Sequence, residues 1–188
     1  MPRAVALGGV ALATALLAWV LFVGLPRWYP AAERALSRAA PAAAAPATGR
    51  KIKARLFYVS EDGTRLTSVE RDVPYGEGVE QAREIMAAQL APVADPTVSA
   101  VPPGTTLRGL FLTDRGDAYV NLSGEVVSAH PGGSLNELLT VYTIVNALTA
   151  NLPAVRGVQI LVEGREVATL AGHVDLRQPL AKDLTWVQ

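Results

Sequence analysis

The stretch SLNELLTVYTIVNALTANL, residues 134–152, decides the fold of this chain. Its apolar side chains recur at the spacing of an α-helix: Leu135, Leu138, Leu139, Tyr142, Val145 and Leu148, with Val141 and Ile144 beside them. Ser134 and Glu137 have the spacing of a capping box, which predicts that Ser134 caps the first turn. Because so wide an apolar stripe has to be covered, we expect a β-sheet to pack against this helix.

A hairpin and a shorter helix are predicted before this stretch. Apolar and basic residues alternate from Lys51 to Ser60, as in a strand with one buried face. The turn residues Glu61-Asp62-Gly63 follow, and residues 66–73 can return as the second strand. Residues 79–90 read as a helix that Pro92 and Pro96 end, with four apolar residues on one face: Ala82, Ile85, Met86 and Leu90.

Two further pairs of strands are predicted on either side of the long helix. Residues 105–113 and 118–122 form the pair before it, and residues 158–162 and 167–170 form the pair after it. Residues 176–188 are expected to hold a strand remnant and a loose tail. The order ββαββαββ predicts an α+β domain, in which two helices pack on one face of a mostly antiparallel sheet.

The amino-terminal part predicts one transmembrane helix and a tether. Residues 5–25 carry no charge and have about the ~20 residues that a membrane-spanning helix needs. The run exceeds the ~7–15-residue core of a cleaved signal peptide, which favours a retained signal anchor over residues 1–28. Residues 29–49, rich in Ala and Pro, read as a tether before a domain at 50–188. Three arginines follow the span and by themselves favour a cytoplasmic domain: Arg27, Arg34 and Arg38.

Charge and cysteine content exclude several classes of function. From Arg50 onward, thirteen Lys and Arg stand against sixteen Asp and Glu, a net charge of −3. This mild acidity argues against nucleic-acid binding, which uses clustered positive charge. The chain has no cysteine, so disulfides, thiolate metal sites and a lipidated cysteine are excluded. No catalytic constellation is visible in the sequence, and we expect neither a metal nor a cofactor.

Five polar residues are candidates for a binding site. His173 and Asp175 stand two apart, so on a strand they would face the same side, and Asp175 could orient the His173 ring or share a cation with it. The alternative is that both fix the chain end to the domain by hydrogen bonds. Asn121 and Ser123 lie where the chain leaves the fourth strand. They either bond to turn backbone or line a groove for a polar ligand, such as a glycan, together with Glu137.

Residues 103–180 resemble the GerMN domain family of spore germination proteins. Glu137, early in the long helix, belongs to the pattern. The phrases that carry the resemblance are PGT at 103–105, AYVNLS at 118–123, YTIVNALT at 142–149, VQILVEG at 158–164 and AGHVDL at 171–176. Their order and spacing define it together, whereas residues 51–90 fit the family more loosely.

The resemblance implies an exported bacterial domain behind a lipoprotein signal or membrane anchor, similar to ring-building modules of secretion assemblies, and it implies no enzyme. Two departures matter: relatives often carry the domain twice, whereas this chain has room for one copy, and many are lipoproteins, whereas this chain has no cysteine.

We therefore expect a single-pass protein of the cytoplasmic membrane whose carboxy-terminal domain lies outside the cell. It would contribute, without catalysis, to a cell-envelope or sporulation and germination assembly. Its expected partners are envelope or sporulation proteins, and it could form oligomers. The alternative function is binding of a cell-wall ligand, peptidoglycan or another glycan.

Overall fold

The computed structural model describes residue 19 and residues 49–188, so the predicted anchor at 5–25 and the tether lie outside the described residues, apart from Trp19 and Gly49. Among the described residues, no helix has the length and apolar character to cross a membrane. The described residues from Gly49 to Gln188 belong to one compact unit.

The elements of this domain follow one another as seven strands and three helices over the part of the chain described. In chain order they are β1 (Lys51–Val59), β2 (Leu66–Pro74), α1 (Val79–Leu90), β3 (Leu107–Leu112), β4 (Asp117–Leu122), α2 (Glu125–Ser128), α3 (Ser134–Asn151), β5 (Gly157–Val162), β6 (Arg165–Glu166) and β7 (Leu180–Ala181). The α+β class is confirmed, and α1 has the predicted bounds. The short helix α2 lies between β4 and α3, where the sequence pattern predicted neither a helix nor a strand.

The strands form two sheets, whereas the sequence predicted one. Sheet 1 is the antiparallel hairpin of β1 and β2, with Leu56 opposite Val69. Sheet 2 has the order β3-β4-β5-β6, and β7 also pairs with β5. The pair β4–β5 is parallel, with Val120 opposite Ile160, whereas the other four pairs are antiparallel, so sheet 2 is mixed and the strand pairing is mostly antiparallel as predicted.

The parallel pair follows from the length of the connection between β4 and β5. After β4 ends at Leu122, helix α3 carries the chain back along the sheet before β5 starts at Gly157. A crossover through a helix returns the next strand in the same direction, whereas a short hairpin reverses it. The turn at residues 113–116 lies against the start of β5. The carbonyl of Gly116 accepts the backbone N–H of Arg156 there, at 2.7 Å.

The two longer helices, α1 and α3, each contact both sheets. Helix α1 contacts β1, β2 and β3, while α3 contacts α1, β1, β5 and β7. Apolar side chains of α3 are therefore buried along the predicted stripe, including Val141, Ile144 and Leu148, and also at Ala147, whereas Leu135 at its start is 38% exposed. The core between the helices and the sheets also takes in Phe57 and Met86, both fully buried.

Two local predictions around α3 were wrong. Gly133, with φ of 85°, precedes the first helical turn and no side chain caps it, so Ser134 is not the cap and Glu137 completes no capping box. The predicted strand at 167–170 is also absent, since β6 ends at Glu166. The Glu137 side chain instead binds the backbone of the loop after β6.

Candidate functional site

Helix α3 holds four other segments of the chain through its polar side chains. Glu137 binds the loop at 170–173, and Thr140 binds the carbonyl of Ala100. Asn146 binds the backbone of Asp183, and Asn151 binds the backbone of Arg55 in β1. We call these four side chains the α3 fasteners: Glu137, Thr140, Asn146 and Asn151. They reach four regions that are distant in sequence, so α3 organises the domain by polar bonds as well as by apolar packing.

Among the α3 fasteners, Glu137 makes the most hydrogen bonds to a distant segment. Its side chain is 0% exposed. Oε1 accepts the backbone N–H of Leu170 at 2.7 Å and of Ala171 at 2.9 Å. Oε2 accepts the backbone N–H of His173 at 2.7 Å, and the Nδ1 atom of the same residue lies 3.1 Å away. The carboxylate therefore holds one loop through four hydrogen bonds from three residues.

The loop keeps this buried carboxylate ionised. Burial acts to raise the pKa of Glu137, but the backbone N–H groups of Ala171, His173, Leu170 and Val174 together hold that pKa below its usual range. An ionised carboxylate can only accept hydrogen bonds, so Nδ1 of His173 carries a hydrogen and donates it to Glu137. The side chain of His173 is 45% exposed.

The expected partnership of His173 with Asp175 is not found, because Glu137 orients the His173 ring. No strand forms over residues 173–175. Asp175 instead accepts the backbone N–H of Arg177 at 3.1 Å and lies 3.6 Å from its guanidinium group. The bonds of His173 match the alternative in which this residue fixes the chain end to the domain. Asp175 bonds only within its own turn among the described residues.

Thr140 links α3 to a second histidine. The Thr140 hydroxyl lies 2.6 Å from the carbonyl of Ala100, to which it donates, and 3.2 Å from Nε2 of His130. The Nδ1 atom of the same ring accepts the backbone N–H of Gly132 at 2.9 Å. Burial, with a smaller contribution from the neighbouring His173, holds the pKa of His130 below its ordinary value, while the charge of Glu137 acts to raise it.

Amide side chains close the free edge of β1. Asn151 accepts the backbone N–H of Arg55 at 2.8 Å and donates to its carbonyl at 2.7 Å. Gln89 on α1 bonds the backbone of Phe57 in the same two-sided way, at 2.9 and 2.8 Å. A side-chain amide has one donor and one acceptor side by side, so it can replace the strand that an edge would otherwise need.

Asn121 and Ser123 both bond to turn backbone. Asn121 accepts the N–H of Gly164 at 2.7 Å, and Ser123 accepts the N–H of Thr106 at 2.9 Å. Glu163 lies beside them and accepts the N–H of Gly124 at 2.8 Å. These bonds tie together the ends of β4 and β5 and the residue that precedes β3.

The structure therefore divides the five candidate residues into separate groups. Glu137 and His173 contact each other, whereas Asn121 and Ser123 belong to the turns after β4 and β5, and no hydrogen bond joins the two groups. Within residues 49–188, no group of three or more His, Asp or Glu side chains is placed to hold a metal ion. In both groups the bonds found are internal to the domain.

Sequence reasoning missed the roles of Thr140, Asn146, Asn151 and Gln89. A signal was present for Thr140 and Asn146, because both lie among the apolar positions of a helix that must be covered. A polar side chain buried at such a position needs a partner, and loop backbone is the commonest one.

These observations define the class of protein: an α+β domain whose central helix holds four other segments of the chain through polar side chains. The family model described as "Germane: Sporulation and spore germination" matches residues 55–168, more than half of the chain. The chain therefore belongs to the Germane family and carries its domain in a single copy.

Solved structures share the fold. A candidate lipoprotein from Clostridium perfringens is 21% identical, with a TM-score of 0.50 over 75% of this chain and 93% of that one. The first GerMN domain of the sporulation protein GerM from Bacillus subtilis is 16% identical, with a TM-score of 0.52 over 69% of this chain and 97% of that one. The tandem GerMN domains of GerM are 16% identical, with a TM-score of 0.51 over 72% of this chain and 46% of theirs.

This chain covers about half of the tandem structure, as expected when one domain is matched to a protein with two. At these levels of identity the likeness concerns the fold alone. No curated protein sequence matches the chain.

Proposed function

We propose that this protein is a membrane-anchored, non-enzymatic module whose Germane domain lies outside the cytoplasmic membrane and contacts other proteins of a cell-envelope or sporulation and germination assembly. Family membership supports the process. The uncharged segment at residues 5–25 and the Ala- and Pro-rich tether after it support the location, since together they would hold a domain at a distance from the membrane.

The observation that carries this proposal is the outward face of sheet 2. Burial alternates along β4, and Leu110 in β3 is buried between more exposed neighbours, so that Leu110, Val120 and Leu122 are fully buried in the core. Their neighbours point the opposite way and are partly or fully exposed. We call this surface the open face and define it by Gly109, Phe111, Tyr119 and Asn121. No helix of the described residues packs on it.

Phe111 makes the open face suitable for a protein contact. Its side chain is 62% exposed, more than any other large apolar side chain within residues 49–188. Phe111 lies opposite Tyr119 across the two strands. A Cβ atom added at Gly109 would lie 3.5 Å from the Phe111 ring, so the ring lies along the strand over the glycine. Large aromatic side chains on a firm backbone are favoured anchors of protein interfaces.

The candidate polar residues support a contact module over the alternative of a glycan-binding groove. Glu137 is buried and both of its oxygens are occupied, so the carboxylate has no free acceptor to offer a sugar hydroxyl. Asn121 and Ser123 each use their side-chain oxygen on backbone. A hydrolytic role gains no support either, because these side chains contact the protein itself.

Photo-crosslinking in living cells tests the proposed surface and location together. We expect a photo-reactive p-benzoylphenylalanine at position 111 of the full chain to capture envelope proteins on illumination. The ring it replaces is exposed, so the domain should fold as before. Mass spectrometry of the captured products identifies the partners, and a second copy of this chain would count as a self-assembly contact.

Position 69 provides the matched control for this experiment. Val69 lies on sheet 1 and is also exposed, at 40%, but it is not part of the open face. The proposal predicts strong products from position 111 and weak products from position 69. Capture of cytoplasmic proteins alone would contradict the location, and equal products from both positions would contradict the choice of surface.

A further inference from the structure

His130 connects three segments that are separate in sequence. It lies just before α3 and bonds both to Gly132 in its own turn and to Thr140 on the helix. Through the Thr140 hydroxyl it is linked to the carbonyl of Ala100, in the loop between α1 and β3. The ring therefore lies where the start of α3 meets that loop.

The bonds of His130 require a neutral ring. A backbone N–H can only donate, so Nδ1 must accept from Gly132 and cannot carry a hydrogen. A neutral imidazole carries one hydrogen, so that hydrogen is on Nε2, which donates to the Thr140 oxygen, while the Thr140 hydroxyl donates to the carbonyls of Ala100 and Asn136. His173 has the opposite arrangement, with the hydrogen on Nδ1.

We propose that His130 is an acid-sensitive latch of its own turn: protonation of its ring places a hydrogen on Nδ1 against the N–H of Gly132, breaks that bond and frees the Gly132 amide, while Asn136 still holds the carbonyl of Gly132 to α3. The bond between Nε2 and Thr140 survives, so the release is confined to the turn. This is a conformational response of the fold, and it goes beyond the contact function proposed above.

The groups around the ring set the direction of the response. The ionised Glu137 of α3 and the titratable His173 of the loop after β6 face His130, and the Ala100 segment contributes a carbonyl. Burial acts most strongly and holds the pKa of His130 below its ordinary value. The folded domain therefore favours the neutral ring. The stabilisation is complete above the unfolded pKa of about 6.5 and is lost as the pH falls through the folded value.

Amide hydrogen exchange of the isotope-labelled full chain in detergent micelles tests the latch. We expect the protection of the Gly132 amide, corrected for the intrinsic exchange rate, to fall about tenfold between pH 7.5 and pH 5, since one hydrogen bond is lost. In His130→Asn the side-chain oxygen can still accept from Gly132 but cannot be protonated, so the protection should no longer depend on pH.

His173→Asn is the matched control, because it removes the only other histidine in the sequence. The pH dependence at Gly132 should persist in this variant. Should His130→Asn fail to fold, the ring nitrogen shifts of the wild-type protein decide the matter, and we expect the Nε2–H form at pH 7.5. A ring in the Nδ1–H form, or a Gly132 amide whose protection is unchanged while the ring titrates, would overturn the proposal.

Discussion

Glu137→Ala is expected to destabilise the domain by about 3–5 kcal/mol, the largest effect of any single substitution outside the apolar core. The change removes a fully buried carboxylate and leaves the backbone N–H groups of Leu170, Ala171 and His173 without their acceptor. Buried donors without partners carry the full cost of their desolvation. Urea denaturation of wild-type and variant protein, followed by circular dichroism, measures the difference.

Glu163→Ala is the control for this prediction. Glu163 also accepts a backbone N–H, that of Gly124, and pairs with Arg108 at 3.0 Å, but its side chain is 48% exposed. Water can replace the lost acceptor there, so we expect a loss within about 1 kcal/mol. Equal losses in the two variants would show that burial of Glu137 is not what makes it important.

Gly116→Ala is expected to destabilise the domain by about 3 kcal/mol, because two separate costs add. Gly116 has φ of 90°, a backbone conformation that side chains disfavour. A Cβ atom there would also lie 2.6 Å from the carbonyl oxygen of Ala154, so the turn after β3 would have to move away from the start of β5. Thermal unfolding and urea denaturation measure the effect.

Gly63→Ala separates the two costs. Gly63 has φ of 71°, but a Cβ atom added there meets nothing within 4 Å. Only the conformational cost remains, and we expect a loss of about 1 kcal/mol. If the two alanine variants lost the same stability, the close approach between the turn at 113–116 and residue 154 would not contribute to the fold.

The periodicity of the sequence predicted the elements of secondary structure more successfully than their assembly. Alternation and helical spacing placed β1, α1 and α3 within a residue or two, since these patterns report which faces are buried. Periodicity does not report whether neighbouring strands run parallel or antiparallel. The parallel pairing of β4 with β5 depends on α3 acting as a crossover, and the split into two sheets leaves α1 and α3 each in contact with both sheets.

The hydrogen-bond partners of the candidate residues were difficult to predict from the sequence. Glu137, His173, Asn121 and Ser123 all make hydrogen bonds inside the domain, and their role in binding stays a prediction. The capping-box prediction was wrong because it considers only residues that are close in sequence. The loop that offers three backbone N–H groups to the Glu137 carboxylate begins 33 residues further along the chain.

The hydrogen bonds of the α3 fasteners bear on the choice of contact surface in the proposed function. Polar side chains on the central helix are occupied in holding loops, a tail and a strand edge, and the contact surface that we propose is the open face. Substitutions at fasteners should act through stability, whereas substitutions at Phe111 should leave stability nearly unchanged and alter contacts.

Hydrogen exchange at the loop after β6 tests the central claim most directly, since the claim is that Glu137 fastens this loop to α3. In the wild-type full chain, the amides of Leu170, Ala171 and His173 should be protected as strongly as those of the β4–β5 pair, although they belong to no strand. In Glu137→Gln, an amide group replaces an acceptor oxygen, and protection at 170–173 should fall while that of β4 and β5 persists. Free exchange of these three amides in the wild-type protein would contradict the claim.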